Sequence, residues 1–155
     1  MKRNAMLSTL VLAGLGVAGL TRAGVLEDRK KANEYLDAAA KEKGAVKTSS
    51  GLVFRTLTPG AGESPKATDT VKVHYRGTFI DGTEFDSSYK RGEPTSFPVD
   101  KVIKCWTEGL QRMKTGEKAN LICPPGIAYG DRGMGSIVPP GAVLVFEVEL
   151  LEIQK

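Results

Sequence analysis

The chain is short of the groups that covalent catalysis uses. Its 155 residues hold one histidine, His74, and two cysteines, Cys105 and Cys123. No Gly-x-Ser-x-Gly frames a serine, and His74 lies on the polar side of an alternating stretch. A nucleophile paired with its base therefore has no support. Asp81 and Asp86 have turn-like neighbours and read as structural carboxylates. No spaced His, Asp and Glu cluster offers a metal site, and two cysteines without a nearby histidine do not make a zinc site. A P-loop is missing, and "GDRGMG" (130–135) runs through Pro139-Pro140-Gly141 into a strand pattern. A dinucleotide-binding loop must instead open a helix whose N-terminus holds the phosphate. No cofactor and no metal are expected.

Charge excludes a further class. Three of the 22 basic side chains, Lys2, Arg3 and Arg22, fall in the first 23 residues, leaving 19 against 18 acidic ones and a net of +1. With no basic stripe interleaved with aromatics, nucleic acid is not an expected partner. The same 23 residues form a candidate targeting segment: a basic start, 18 uncharged residues (4–21) and small residues at two cleavage positions, after Ala18 or Ala23. The alternative is an uncleaved anchor in the inner membrane facing the periplasm, since 18 residues is at the lower edge of a span. Gly14, Gly16 and Gly19 weaken that alternative. Either way the remainder is expected outside the cytoplasm, periplasmic or secreted, where Cys105 and Cys123 can form one disulfide or remain two buried thiols.

The spacing divides the chain into a segment 1–23, a helical arm and linker 24–49, and a body 50–155. "LEDRKKANEYLDAAAKEK" (26–43) predicts a helix with Ala32, Tyr35, Leu36, Ala39 and Ala40 on one face, i,i+4 pairs such as Asp37–Lys41, and Gly44 as its stop. "AVKTSSG" (45–51) reads as linker. Strands are predicted over 52–57, 70–80, 117–123 and 142–153. In the second, Val71, Val73, Tyr75, Gly77 and Phe79 share a face, and Asp81-Gly82 turns the chain. Residues 101–113 are the one helix candidate in the body. The fold class is α+β, a mostly antiparallel sheet wrapped around one short helix.

Only 6% of residues are aromatic, yet Tyr75, Phe85, Phe97, Trp106, Tyr129 and Phe146 cluster at strand ends, in loops and at the head of that helix. Nine of the nineteen residues in "CPPGIAYGDRGMGSIVPPG" (123–141) are Gly or Pro, but five are sizeable apolar or aromatic side chains, including Met134 and Ile137. A rigid loop and a helix that both present aromatics suggest an apolar cleft with a few polar tips.

Four motifs in order then carry a resemblance: "VKVHYRGTFIDGTEFDSS" (71–88), "FPVDKVIKCWTEGLQRMKTGEK" (97–118), "AYGDRG" (128–133) and "IVPPGAVLVFEVELLEI" (137–153). Together they resemble the FK506-binding (FKBP) family of peptidyl-prolyl cis-trans isomerases, over about residues 50–155. The arm and junction are similar to those of bacterial, exported, Mip-like and FkpA-like members. Their long dimerisation helix is missing, so a monomer is expected.

The resemblance implies a rotamase acting on proline-containing segments of unfolded or folding exported proteins, and binding of macrolides such as tacrolimus and rapamycin. It implies catalytic roles for Tyr75, Asp86, Ile103, Trp106 and Tyr129, and substrate contacts from Phe85, Phe97, Val102, Ile137 and Phe146. Trp106 would form the pocket floor, while the Ile103 N–H and Tyr129 hydroxyl would grip carbonyls of the bound chain. Met134 stands where the best-known eukaryotic members carry histidine. Cys105 stands where many have glycine, and Cys123 would lie on the strand facing it, so the resemblance implies a candidate disulfide between them. A rival reading is a proline-peptide binding module or chaperone without turnover; retention of the pocket positions favours the enzyme.

Overall fold

The structure, a computed structural model, describes residues 22–154. The candidate targeting segment lies outside the described residues except for its last two positions. The described residues divide into two units, 22–34 and 35–154.

Helix α1 (Arg22–Ala40) begins and ends earlier than its composition predicts. Lys41 N–H and Glu42 N–H bond back to the carbonyls of Ala38 and Ala39 at 3.1 Å, a three-residue spacing that tightens the chain into a turn. Gly44, at φ +82°, therefore serves the turn rather than the helix end. Asp37 and Lys41, both exposed, form no ion pair with each other. The expected apolar face holds: Ala32 is buried, and Tyr35, Leu36, Ala39 and Ala40 are half-buried.

The second unit is built on one antiparallel sheet. Its strands are β1 (Ala45–Lys47), β2 (Val53–Thr58), β3 (Thr70–Phe79), β4 (Glu84–Ser87), β5 (Thr95–Pro98), β6 (Lys118–Cys123) and β7 (Leu144–Gln154). The order is β1-β2-β6-β7-β3-β4, with β5 also paired to β3. The supposed linker thus contributes an edge strand, β1, whose Ala45, Val46 and Lys47 pair with Arg55, Phe54 and Val53. The long connection after β3 contains β4, the short helix α2 (Ser88–Arg91) and β5. The two strands share one edge of β3: β5 takes Thr70–Val73 and β4 takes Arg76–Thr78.

Strand alternation decides which side faces the core. On β7, Leu144, Phe146, Val148 and Leu150 are buried while the residues between them are half-buried. Register then places Tyr75 opposite Val148 and Gly77 opposite Phe146, so β3 and β7 present one continuous apolar surface. Helix α3 (Lys104–Arg112) lies on it, burying Cys105, Trp106, Gly109 and Leu110. Each fully buried Leu or Val side chain there contributes about 1.5–3 kcal/mol.

The helix approaches the sheet closely at Gly109, where an added Cβ would collide with Leu121 Cδ2. The predicted helix start at 101 is corrected by a 3-10 turn (Val99–Lys101) and the extended residue Ile103, at ψ 151°, which break the pattern before Lys104. Thr107 Oγ1 ties the two pieces together by donating to the Val99 carbonyl at 2.7 Å. Cys105 and Cys123 are joined by a disulfide, with Cα atoms 5.7 Å apart, binding α3 to the end of β6.

Candidate active site

Beside the N-terminus of α3 opens a cavity of about 650 Å³. Its floor and walls come from β3, β4, β5, β7, the start of α3 and the 124–141 loop. The ten residues expected at a pocket, Tyr75, Phe85, Asp86, Phe97, Val102, Ile103, Trp106, Tyr129, Ile137 and Phe146, all line it, together with Lys101 and Met134.

Trp106 is the centre of an aromatic box. Its ring stands nearly perpendicular to those of Tyr75, Phe97 and Phe146, at centroid separations of 5.2, 5.3 and 5.2 Å. These edge-to-face contacts suit the quadrupoles of the rings and hold the indole still. Phe85 meets Phe146 edge-on at 5.7 Å and stacks on Phe79 at 4.8 Å, extending the apolar wall. Gly77 makes room for this pair: a Cβ there would lie 2.7 Å from Phe85 Cζ and 2.9 Å from Phe146 Cε1. Trp106 Nε1 is the one buried side-chain nitrogen or oxygen without a hydrogen-bond partner among the described residues.

The polar side of the cavity is a closed network. Tyr75 donates its hydroxyl proton to Asp86 Oδ2 at 2.6 Å. Arg91 donates to Asp86 Oδ1 at 2.7 Å, to the Tyr75 hydroxyl at 3.0 Å and to Thr95 Oγ1 at 3.1 Å. The Ser87 N–H adds a bond to Asp86 Oδ1 at 2.9 Å. Burial by itself would raise the Asp86 carboxyl, but the bonds from Tyr75 and Arg91, with the Arg91 charge, outweigh it and hold the group below its ordinary value. Burial pushes the Tyr75 hydroxyl up, and its bond to Asp86 adds to this. Asp86 is therefore an ionised, neutralised anchor that fixes the Tyr75 ring.

Two donors on the other side are left open. Among the described residues, neither the Ile103 N–H nor the Tyr129 hydroxyl has a hydrogen-bond partner in the protein. Ile103 stands just ahead of α3, where backbone N–H groups have no helical acceptor. Burial, followed by the negative charge of Asp86, raises the Tyr129 hydroxyl, so it stays a neutral donor at physiological pH. The loop that carries it is held by its own backbone bonds, Gly130 N–H to Pro125 O at 2.8 Å and Gly141 N–H to Gly130 O at 2.9 Å. Gly133, at φ +72°, could carry no side chain, since a Cβ would strike the Val138 carbonyl.

Sequence reading missed several contributors. Arg91 sits on a four-residue helix too short for any periodic signal, and its reach to Tyr75 across sixteen positions depends on the fold. Lys101 has the one usable cue, its place just before Val102-Ile103. His74 lies outside the cavity but is more than surface decoration. Its Nδ1 is 2.8 Å from the Oγ of buried Ser88, which accepts the Tyr75 N–H at 2.7 Å, and its ring stacks on Tyr89 at 4.6 Å.

Comparison with known proteins gives the same direction from each side. Residues 61–151 match the family model described as FKBP-type peptidyl-prolyl cis-trans isomerase. The FKBP-type peptidyl-prolyl cis-trans isomerase FkpA of Aeromonas hydrophila is 55% identical over 130 residues, which is 84% of this chain and 48% of that protein. The chain thus spans about half the length of the curated relatives it matches. The crystal structure of FkpA from Escherichia coli superposes with a TM-score of 0.82 at 44% identity, covering 99% of this chain and 74% of that one. A peptidyl-prolyl cis-trans isomerase from Pseudomonas syringae has a TM-score of 0.80 at 36% identity, covering 87% of this chain and 99% of its own. The antiparallel sheet closed on α3, the aromatic cavity at the helix head and these matches agree: the chain belongs to the FKBP-type peptidyl-prolyl cis-trans isomerase family.

Proposed function

We propose that this protein is a peptidyl-prolyl cis-trans isomerase that accelerates X–Pro rotation in exported proteins as they fold, in the periplasm, with residues 50–155 carrying the activity. The observation that carries this reading is the apolar box around Trp106 with two unpaired donors at its edge. Rotation about an X–Pro bond breaks no covalent bond. It must give up amide resonance, a barrier of roughly 20 kcal/mol, and takes tens to hundreds of seconds unaided. No nucleophile or general base is required.

In this mechanism the pyrrolidine ring sits on Trp106, against Phe97, Val102, Ile137 and Phe146, with Phe85 closing the far wall. The planar amide is more dipolar than the twisted one, so it loses more on entering an apolar cavity. The pocket therefore favours the twisted state, which is differential binding of the transition state. The Ile103 N–H and Tyr129 hydroxyl hold carbonyls on either side of the turning bond, so that rotation is confined to it. Tyr75, locked by Asp86 and Arg91, keeps the wall in place, with its hydroxyl already engaged by both. Each tenfold of rate requires about 1.4 kcal/mol of such preference. The same cavity is proposed to take macrolides such as tacrolimus and rapamycin.

The test is the cis-to-trans rate of a Leu-Pro peptide with the purified protein, with and without rapamycin. Rapamycin-sensitive acceleration is expected. Tight rapamycin binding with no acceleration would refute the enzyme and leave a proline-peptide binding module.

A further inference from the structure

The charge around the cavity is one-sided. Asp86, the carboxylate that lines it, already holds both the Arg91 guanidinium and the Tyr75 hydroxyl, so it offers little to a bound cation. Lys101 also lines the cavity and is exposed. The ion pairs of the described residues engage Arg55, Arg76, Arg91, Arg112 and Lys118, and none engages Lys101. One turn on, the first turn of α3 opens with exposed Lys104 and contains no acidic residue. Asp100 is the acidic neighbour in the chain, also exposed, but it does not line the cavity. A free cation thus stands at the mouth of an otherwise apolar, charge-neutralised pocket.

We propose that Lys101 is a specificity-determining residue that selects proline segments carrying an Asp or Glu beside the X–Pro unit. The inference rests on the isomerase reading above. The proline ring and the preceding side chain enter the apolar cavity, while a flanking carboxylate meets the Lys101 ammonium at its mouth. An exposed pair of this kind gives a modest preference, about two- to five-fold at low salt, expressed in KM rather than kcat because it acts on ground state and transition state alike.

The experiment compares acetylated, amidated peptides around one Leu-Pro core, with Glu, Gln or Lys placed two or three residues before the proline or one to three after it. The expected result is a Glu-over-Gln advantage of about two- to five-fold in kcat/KM at one or more positions. It should shrink toward unity as salt shortens the range of the attraction. Lys101→Gln should erase the Glu-to-Gln ratio, and Lys101→Glu should turn the preference toward the Lys peptide. Equal turnover of Glu and Gln peptides at every position, or an advantage that survives in Lys101→Gln, would overturn the proposal while leaving the isomerase intact. Failure to accelerate even the neutral Leu-Pro core would instead remove the isomerase reading beneath it.

Discussion

Reduction of the Cys105–Cys123 disulfide is a perturbation whose size follows from the fold. The bond spans 18 positions, and both side chains are fully buried, one at the head of α3 and the other at the end of β6. In the chain-entropy account, closing a loop of this length removes about 3 kcal/mol of freedom from the unfolded chain. At about 2–4 °C per kcal/mol for a protein of this size, the reduced form should melt about 6–12 °C below the oxidised one. Comparing oxidised and reduced forms of the same chain leaves the packed sulfur atoms nearly unchanged, so the difference isolates the cross-link. Burial adds a kinetic expectation: dithiothreitol should leave the bond intact in native buffer, where it is reached only through opening of the structure, and cleave it at once in denaturant. The assay is non-reducing mass spectrometry with alkylation, followed by calorimetric melts of both forms. Two thiols alkylated in the untreated native protein, or coincident melting of the oxidised and reduced forms, would refute this reasoning.

Trp106→Ala should cost about 3–5 kcal/mol of stability by urea titration and abolish turnover, since it empties the floor of the cavity. Trp106→Phe should be markedly milder, because it keeps a ring and discards an N–H that lacks a partner, a group whose burial costs about 1–3 kcal/mol. Equal destabilisation by the two substitutions, or turnover unchanged in the alanine variant, would contradict the assignment. The depressed Asp86 carboxyl makes its contribution to stability fully present above the ordinary aspartate value of about 3.9, and that contribution is lost as pH falls through the lower folded value. Arg91→Gln should raise the Asp86 titration midpoint read by NMR and so shrink the stability that this group loses between about pH 3.9 and that midpoint; an unmoved midpoint would show that Arg91 does not hold the carboxylate.

The long strands were legible because alternation repeats enough times to be unambiguous. β3 and β7 each carry a run of inward residues that the structure buries, and Asp81-Gly82 turns the chain where its composition says, with Gly82 at φ +89° and Thr83 N–H bonded to Asp81 Oδ1 at 2.8 Å. β1, β4 and β5 were not legible. At three or four residues they hold no periodicity, and they exist because the edges of β2 and β3 offer unpaired backbone groups. The cavity residues came from motif resemblance rather than periodicity. Arg91 carried no such signal, and its role appears once α2 brings its guanidinium over the Tyr75 ring at 5.7 Å.

By itself the sequence set what chemistry to expect. One histidine, no nucleophile motif and few aromatics, gathered at strand ends and loops, pointed to burial and hydrogen bonding rather than to covalent catalysis. Local patterning, set by nearest-neighbour sterics and side-chain alternation, also specified the main strands and the core helix. Tertiary structure alone decided how far those pieces cooperate. Tyr75, Phe97, Trp106 and Phe146 come from four different elements, and the nearly perpendicular contacts of Trp106 with the other three rings depend on α3 meeting the sheet closely, as it does at Gly109. The pairing of Asp86 with Arg91, which leaves Lys101 as a free cation at the mouth, depends likewise on distances between segments that no local pattern encodes.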